Sequence, residues 1–186
     1  MYRYHPCHPY QGHNPTHNYC NNQNWSNYLN PHYSSWNNTN WSRYNENLKL
    51  TDYGQRPLVL NIDQATKQNN TYRTALWTGK HLQVTLMSIN VGDDIGLEVH
   101  PTTDQFIRIE QGQGLVQMGD SKDNLDFQKM AYDDYAIMIP AGKWHNVTNM
   151  GNVPLKVYVI YAPPEHPYGT VHETKADAMY ARYNKG

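Results

Sequence analysis

The sequence has few of the features that cross-link a domain or anchor it in a membrane. Its two cysteines, Cys7 and Cys20, both lie near the N-terminus, so we expect neither a disulfide framework nor a cysteine ligand in the rest of the chain. No segment approaches the roughly 18 consecutive apolar residues that span a bilayer. The polar first residues also lack the apolar run of a secretory signal. These absences predict a cytoplasmic protein that has no membrane partner.

An excess of charge of one sign is also absent. The chain has 15 Lys and Arg residues against 16 Asp and Glu residues. Proteins that bind nucleic acid through its phosphates carry a basic excess or a basic patch. We therefore expect no nucleic-acid partner.

The first 50 residues are poor in aliphatic side chains. Apart from Met1, the only ones larger than alanine are Leu29, Leu48 and Leu50, whereas the same stretch holds 12 Asn, 7 Tyr, 5 His and 3 Trp. Such a composition cannot bury enough apolar surface to offset about 1–2 kcal/mol of backbone entropy per ordered residue. We predict a disordered Asn/Tyr/His-rich tail over residues 1–54 and a single folded domain over residues 55–186.

Short β-prone runs separated by turn residues fill most of the remaining chain. Many strands at close spacing are typical of an all-β sandwich or barrel. One short helix is predicted at the end, over Lys175–Tyr183, with Thr174 as its N-cap and Asp177 as a capping-box partner. The predicted strands are Leu58–Ile62, Tyr72–Trp77, Leu82–Asn90, Gly96–His100, Phe106–Glu110, Gly114–Met118, Asp126–Met130, Tyr135–Ile139, His145–Thr148 and Leu155–Tyr161.

Candidate metal ligands occur at two places in this series of strands. Glu98 and His100 are two residues apart, so a strand would place both side chains on one face. Gln105 opens the next strand, and His145 comes directly after a tight turn. If Gln105 faces the interior, Ile107 does so as well.

The same alternation sends the neighbouring charged residues of that strand outward. We predict that Arg108 and Glu110 are solvated charges on the exterior, while Ile109 faces the interior.

The spacing of these residues resembles the two motifs of the cupin superfamily. The first motif, Gly-x5-His-x-His-x4-Glu-x6-Gly, is matched in every spacing, with Glu at the first His position and Gln at the Glu position. The second motif, Pro-x-Gly-x-x-His-x-x-x-Asn, is matched in full. The matching residues are Gly92, Glu98, His100, Gln105 and Gly112, then Pro140, Gly142, His145 and Asn149.

The resemblance implies a cupin jelly-roll barrel, also called a double-stranded β-helix, with one divalent metal ion held by Glu98, His100, Gln105 and His145. Two imidazoles and one carboxylate suit Zn, Fe, Mn or Ni, and a glutamine can add a weak carbonyl oxygen. One carboxylate remains in the set, so the exchange of ligand positions conserves the formal charge of the usual three His plus Glu. The resemblance also implies a homodimer, for which an exposed strand edge at Leu58–Ile62 would serve.

Three functions stay open, because the cupin fold hosts many chemistries. The first is a metal-dependent enzyme that isomerises or epimerises a small polar ligand such as a sugar or sugar phosphate. Its catalytic residues are unknown, since spacing identifies no second inward carboxylate as a general base. The second is an Fe(II) dioxygenase. The third is a non-catalytic binding or structural protein, with a spore-coat location as the alternative, since the tail resembles spore-coat segments in composition.

Overall fold

The computed structural model describes residues 48–183, and these form an all-β domain with two short helices. Residues 1–47, which make up most of the tail predicted over residues 1–54, lie outside the described residues. The strands and helices are α1 Ile62–Gln68, β1 Arg73–Thr78, β2 Gln83–Ile89, β3 Asp104–Gln111, β4 Gln113–Gly119, β5 Phe127–Tyr132, β6 Ala136–Ile139, β7 Trp144–Asn149, β8 Leu155–Ala162, β9 Val171–His172 and α2 Lys175–Tyr183.

Two antiparallel sheets form the jelly-roll barrel. The larger sheet has the strand order β6-β3-β8-β2-β1-β9, and the smaller one has the order β5-β4-β7. Alternate residues along the strands point inward, so Ile107 and Ile109 of β3 are buried in one core cluster with Val116 of β4 and Val147 of β7. Val157 and Val159 of β8 belong to the same cluster. The predicted inward face of β3 is therefore confirmed.

Residues 48–54, which the composition assigns to the tail, are packed against the domain. Leu48, Leu50 and Tyr53 cover a second apolar cluster that contains Leu76 and Leu86. The backbone N–H of Tyr53 donates to the carbonyl of Leu76 over 2.9 Å.

The predicted strand at Leu58–Ile62 is wrong. This segment pairs with no strand of the described part of the chain, Val59 is fully exposed, and helix α1 begins at Ile62. The sheet edge beside β1 is taken by β9, which pairs Thr74 with Val171. The segment therefore offers no strand edge for a homodimer, and the homodimer itself stays a prediction.

Helix α1 also corrects the prediction for the outer face of β3. The side chain of Asn61 accepts a hydrogen bond from the Gln64 N–H over 3.1 Å and caps the helix. The helix then packs on β3 and β8. Glu110 is only 5 % exposed as a result, and Arg108 Nε lies 3.0 Å from its carboxylate. Glu110 points outward as predicted, but it is covered rather than solvated.

Helix α2 has the predicted bounds and the predicted capping box. The Thr174 N–H donates to Asp177 Oδ2 over 2.9 Å, and the Asp177 N–H donates to Thr174 Oγ1 over 3.2 Å. Ala178 contributes to the main core cluster, and Lys175 Nζ lies 2.6 Å from Asp93 Oδ1. These contacts fix α2 across one end of the barrel.

Neither helix within residues 48–183 is long and apolar enough to cross a membrane.

Candidate metal centre

Glu98 and His145 face each other across a short antiparallel bridge. The Glu98 N–H donates to the His145 carbonyl over 3.0 Å, and the His145 N–H donates to the Glu98 carbonyl over 2.9 Å. Residues paired directly in this way project their side chains from the same face of the sheet. His100, two residues after Glu98, shares that face. The predicted strand at Gly96–His100 is thus only a bridge, but it positions all three side chains.

A tight turn brings the second motif to the first. The Lys143 N–H donates to the Pro140 carbonyl over 3.2 Å, and Gly142 has a φ of 81°. A turn of this kind needs a positive φ at its third residue, which glycine adopts without steric cost. The Gly142 N–H donates to the His100 carbonyl over 2.8 Å. The turn therefore ties the strand of His145 to the segment that carries His100.

Three side-chain donor atoms converge inside the barrel. Glu98 Oε1 lies 3.4 Å from His100 Nε2 and 3.5 Å from His145 Nε2, and one ligand atom from each residue lies within 4.8 Å of the others. All three residues are buried. None of these three atoms has a hydrogen-bond partner among the described residues. Buried polar atoms are rarely left in that state, so the cluster has the character of a ligand set.

The second nitrogen of each histidine ring is already engaged. His145 Nδ1 lies 2.9 Å from the Lys143 carbonyl, and His100 Nδ1 lies 3.3 Å from Glu165 Oε2. A ring whose Nδ1–H donates to an oxygen presents the lone pair of Nε2. Metal-binding histidines are held by just such contacts to carbonyl and carboxylate groups. Both Nε2 atoms therefore point to the shared centre, where a bound metal would take the place of any proton on them.

The carboxylate of Glu98 is kept ionised. Burial alone would raise its pKa, but contacts with His100 and His145 and the charge of Arg73 hold the pKa well below the usual range. Burial would likewise lower the pKa of His100, but Glu165 and Glu98 outweigh it and raise that pKa to about 9. Arg182 at the end of α2 donates to Glu98 Oε2. Only Oε1 of Glu98 therefore faces the two histidine rings.

Gln105, the fourth predicted ligand, is connected to this cluster through Tyr161. It is 3 % exposed, and its Nε2 lies 3.5 Å from Tyr161 Oη. The Tyr161 ring lies 5.6 Å from the His100 ring. Gln105 Oε1 has no hydrogen-bond partner within residues 48–183. The ligand role of Gln105 stays a prediction, whereas the other three predicted ligands are brought together.

A cavity of about 440 Å³ opens beside the cluster. It contains charged side chains that spacing does not identify, because they come from distant parts of the chain. Glu165 lies in a proline-rich segment after β8 whose composition is distinctive, and Arg73 is a charged residue inside an otherwise uncharged strand. Nothing in the sequence signals Arg182. The lining residues are Arg73, Leu97, Glu98, Val99, His100, Trp144, Glu165, His166, Pro167, Thr170, His172, Ala178, Ala181 and Arg182.

Within residues 48–183, the histidines outside the predicted ligand set divide into two groups. His81 is exposed, which agrees with an ordinary polar role. His166 and His172 line the cavity, and the His166 ring meets the Tyr161 ring edge-on at 5.0 Å.

The donor set fits a divalent metal ion. Two neutral imidazole nitrogens and one carboxylate oxygen are a set that first-row divalent metals accept. The three buried donor atoms without other partners would be satisfied by one shared ion. Glu98, His100 and His145 would hold it.

Fold and ligand set together define a small barrel of the cupin class. A profile described as "Cupin domain" matches residues 85–161, and the chain belongs to the cupin family. It is 69% identical over 137 residues to the uncharacterized protein YrkC of Bacillus subtilis (strain 168), a match that covers 74% of each chain. It is also 40% identical over 114 residues to the uncharacterized protein L612 of Acanthamoeba polyphaga mimivirus, covering 61% of this chain and 69% of the relative.

One solved structure is similar over most of the domain. The crystal structure of BH2720 from Bacillus halodurans is 68% identical, with a TM-score of 0.69, and the match covers 70% of this chain and 98% of that one.

Proposed function

We propose that the protein is a metal-dependent enzyme that acts on a small polar ligand, with isomerisation or epimerisation of a sugar or sugar phosphate as the leading reaction. The observation that carries the proposal is the convergence of Glu98 Oε1, His100 Nε2 and His145 Nε2, three buried atoms without other partners among the described residues. A metal with open positions polarises a carbonyl or hydroxyl as a Lewis acid.

Residues around the ligand set have defined tasks in this proposal. Glu165 orients His100 through Nδ1, and the Lys143 carbonyl orients His145 in the same way. Arg182 holds Oε2 of Glu98 away from the two rings. The cavity of about 440 Å³ lies within the range of small-molecule sites.

An isomerase also needs a group that accepts a proton from its substrate. Among the described residues that line the cavity, Glu165 is the carboxylate outside the ligand set. The contact with His100 lowers the pKa of Glu165 more than burial raises it, so the group is a carboxylate at neutral pH. We assign it as the general base of this reaction.

Elemental analysis of protein purified without a histidine tag tests the metal site first. We expect close to one divalent ion per chain in the wild type and a strong loss in Glu98→Ala and His145→Ala. His81→Ala, an exposed histidine outside the cavity, is the matched control and should keep the metal. The loaded wild type is then assayed with aldoses, ketoses and sugar phosphates. A loaded protein that leaves the whole panel unchanged would eliminate the isomerase.

A second reaction is favoured by the ligand count. Two histidines and one carboxylate are the donor set of non-haem Fe(II) oxygenases, in which the remaining positions stay open. The three atoms within 4.8 Å of one another supply that set. Oxygen uptake by Fe(II)-loaded protein with flavonols or thiols tests this reaction against a His145→Ala control. Equal uptake by the two proteins would remove the dioxygenase.

A further inference from the structure

Arg73 is a buried cation that forms no direct ion pair with an acidic side chain of residues 48–183. It is 2 % exposed and lies on β1. Among the described residues, the arginines within 4 Å of a carboxylate oxygen are Arg108 and Arg182. Burying a charge is unfavourable unless it is paired or solvated. The position of Arg73 in the core therefore needs an explanation.

The neighbours of Arg73 leave part of its guanidinium unused. Its Nη2 lies 3.8 Å from the sulfur of Met87, a weak acceptor, and its Cζ lies 5.6 Å from the centre of the Tyr72 ring. Its Nε has no hydrogen-bond partner within residues 48–183. Tyr161 is within hydrogen-bonding reach of Arg73, but burial raises the pKa of that phenol far above its ordinary value, so Tyr161 stays neutral. Glu98 acts on Arg73 through its charge alone, without an ion pair within 4 Å.

The cavity beside the metal ligands is where this charge becomes accessible. Arg73 lines the cavity together with Glu98 and His100. The other arginine that lines the cavity, Arg182, donates to the carboxylate of Glu98. Binding of a divalent cation by the ligand set would make the lining more positive. The cavity would then favour an anion over a neutral molecule of the same shape.

We propose that Arg73 is a binding residue for the oxyanion group of a small anionic ligand, a carboxylate or a phosphate, in the same cavity. A guanidinium is suited to this role because its planar fork donates two parallel hydrogen bonds to such a group. The inference deepens the proposed function, since it names the charge class of the ligand, and it rests on the cavity being the ligand site.

Matched pairs of probes test the inference on wild-type protein, so the result does not depend on the folding of a variant. Glycolate is compared with ethylene glycol for carboxylates, and mannose 6-phosphate with mannose for phosphates. Calorimetric titration is performed on metal-free and metal-loaded protein. In at least one pair we expect the anion to bind about 10–100-fold more tightly, as for one charge-assisted hydrogen-bonded contact. Whichever pair discriminates identifies the oxyanion.

Variants then assign the effect to Arg73. Arg73→Gln should remove about 10–100-fold of the anion affinity, and Arg73→Lys should recover part of it because it keeps the charge without the fork. The metal content of each variant should match the wild type. Arg56→Gln, an exposed arginine whose Nε contacts the Tyr53 carbonyl, is the control and should bind as the wild type does.

Two results would overturn the inference. One is that no anion binds more tightly than its neutral partner to either form of the protein. The other is that a folded Arg73→Gln protein keeps the full preference for the anion. Failure of this inference can be distinguished from failure of the proposed function. A chain that binds anions through Arg73 but holds no metal would contradict the proposed function and leave this inference standing.

Discussion

Replacing Glu98 by glutamine should abolish most of the stabilisation that a metal gives to the fold. The carboxylate is 3 % exposed, and the neutral amide oxygen that would replace it is a weaker ligand for a divalent metal. An amide of the same shape keeps the packing, and it carries both a donor and an acceptor that can pair with His100 Nε2 and His145 Nε2. We therefore expect the metal-free variant to fold, although it loses the ionic contact with Arg182.

The size of the effect follows from the binding equilibrium. At a metal concentration of about 100 times Kd, the wild type gains about 2.7 kcal/mol of unfolding free energy. Loss of a residue that only orients a ligand already costs about 10–100-fold in affinity, so loss of the anionic ligand should cost at least about 100-fold. The same metal concentration is then close to Kd for the variant and stabilises it by about 0.4 kcal/mol.

Thermal unfolding of chelator-treated protein, with and without added Zn²⁺, Mn²⁺ or Fe²⁺, measures the difference. For a domain of this size, about 3–5 °C per kcal/mol gives a rise in Tm of about 10 °C for the wild type and about 2 °C for Glu98→Gln. Each protein is compared with its own metal-free form, which removes the effect of the lost Arg182 contact. An equal rise in both proteins would refute the assignment of Glu98 as a ligand.

Three further predictions concern the surroundings of the site. Glu165→Gln should weaken metal binding by about 10–100-fold, because His100 loses an anionic partner. A competition titration with a chromogenic chelator measures the Kd for the metal, and an unchanged Kd would contradict the prediction. Gly142→Ala should cost about 1–2 kcal/mol in urea unfolding, because φ is 81° and no atom lies near the added methyl group; a neutral result would show that the turn relaxes. Asp93→Asn should cost about 0.5 kcal/mol at pH 7, because burial raises the pKa of Asp93 but the contact with Lys175 outweighs it and lowers that pKa. The group thus stabilises the fold above its unfolded pKa of about 3.8, and the cost should vanish as the pH falls through the lower folded value; a cost that is constant with pH would point to packing instead.

Local signals were sufficient where one short-range pattern determined the structure. The period of two along β3 predicts that Ile107 and Ile109 are buried, and both are. The capping box of Thr174 and Asp177 predicts the start of α2, and it is formed. In the same way, a separation of two residues predicts that Glu98 and His100 share a face, which the bridge to His145 completes.

Local signals failed where tertiary contacts decided the outcome. Leu58–Ile62 has the apolar composition of a strand, but β9 already occupies the sheet edge next to β1. The seven-residue helix α1 is too short to show a clear helical period. It nevertheless covers Glu110. The alternation along β3 places Glu110 on the outward face and therefore predicts that it is solvated. Composition alone also could not show that Leu48 and Leu50 find an apolar cluster to cover.

The site residues that the sequence predicts lie in the part of the chain that matches the cupin profile, and the site residues that it does not predict lie outside that part. The four predicted metal ligands lie within residues 85–161, where the cupin profile matches. Arg73 precedes that region, while Glu165 and Arg182 follow it, and all three line the cavity. The spacing of the two motifs could not reveal these residues, because a strand, a loop and a helix outside the motifs carry them. If the ligand set fixes where the chemistry takes place, these three outer charges determine which ligand enters the cavity. Relatives that keep the two motifs but differ at these three positions should therefore bind the same metal and different ligands.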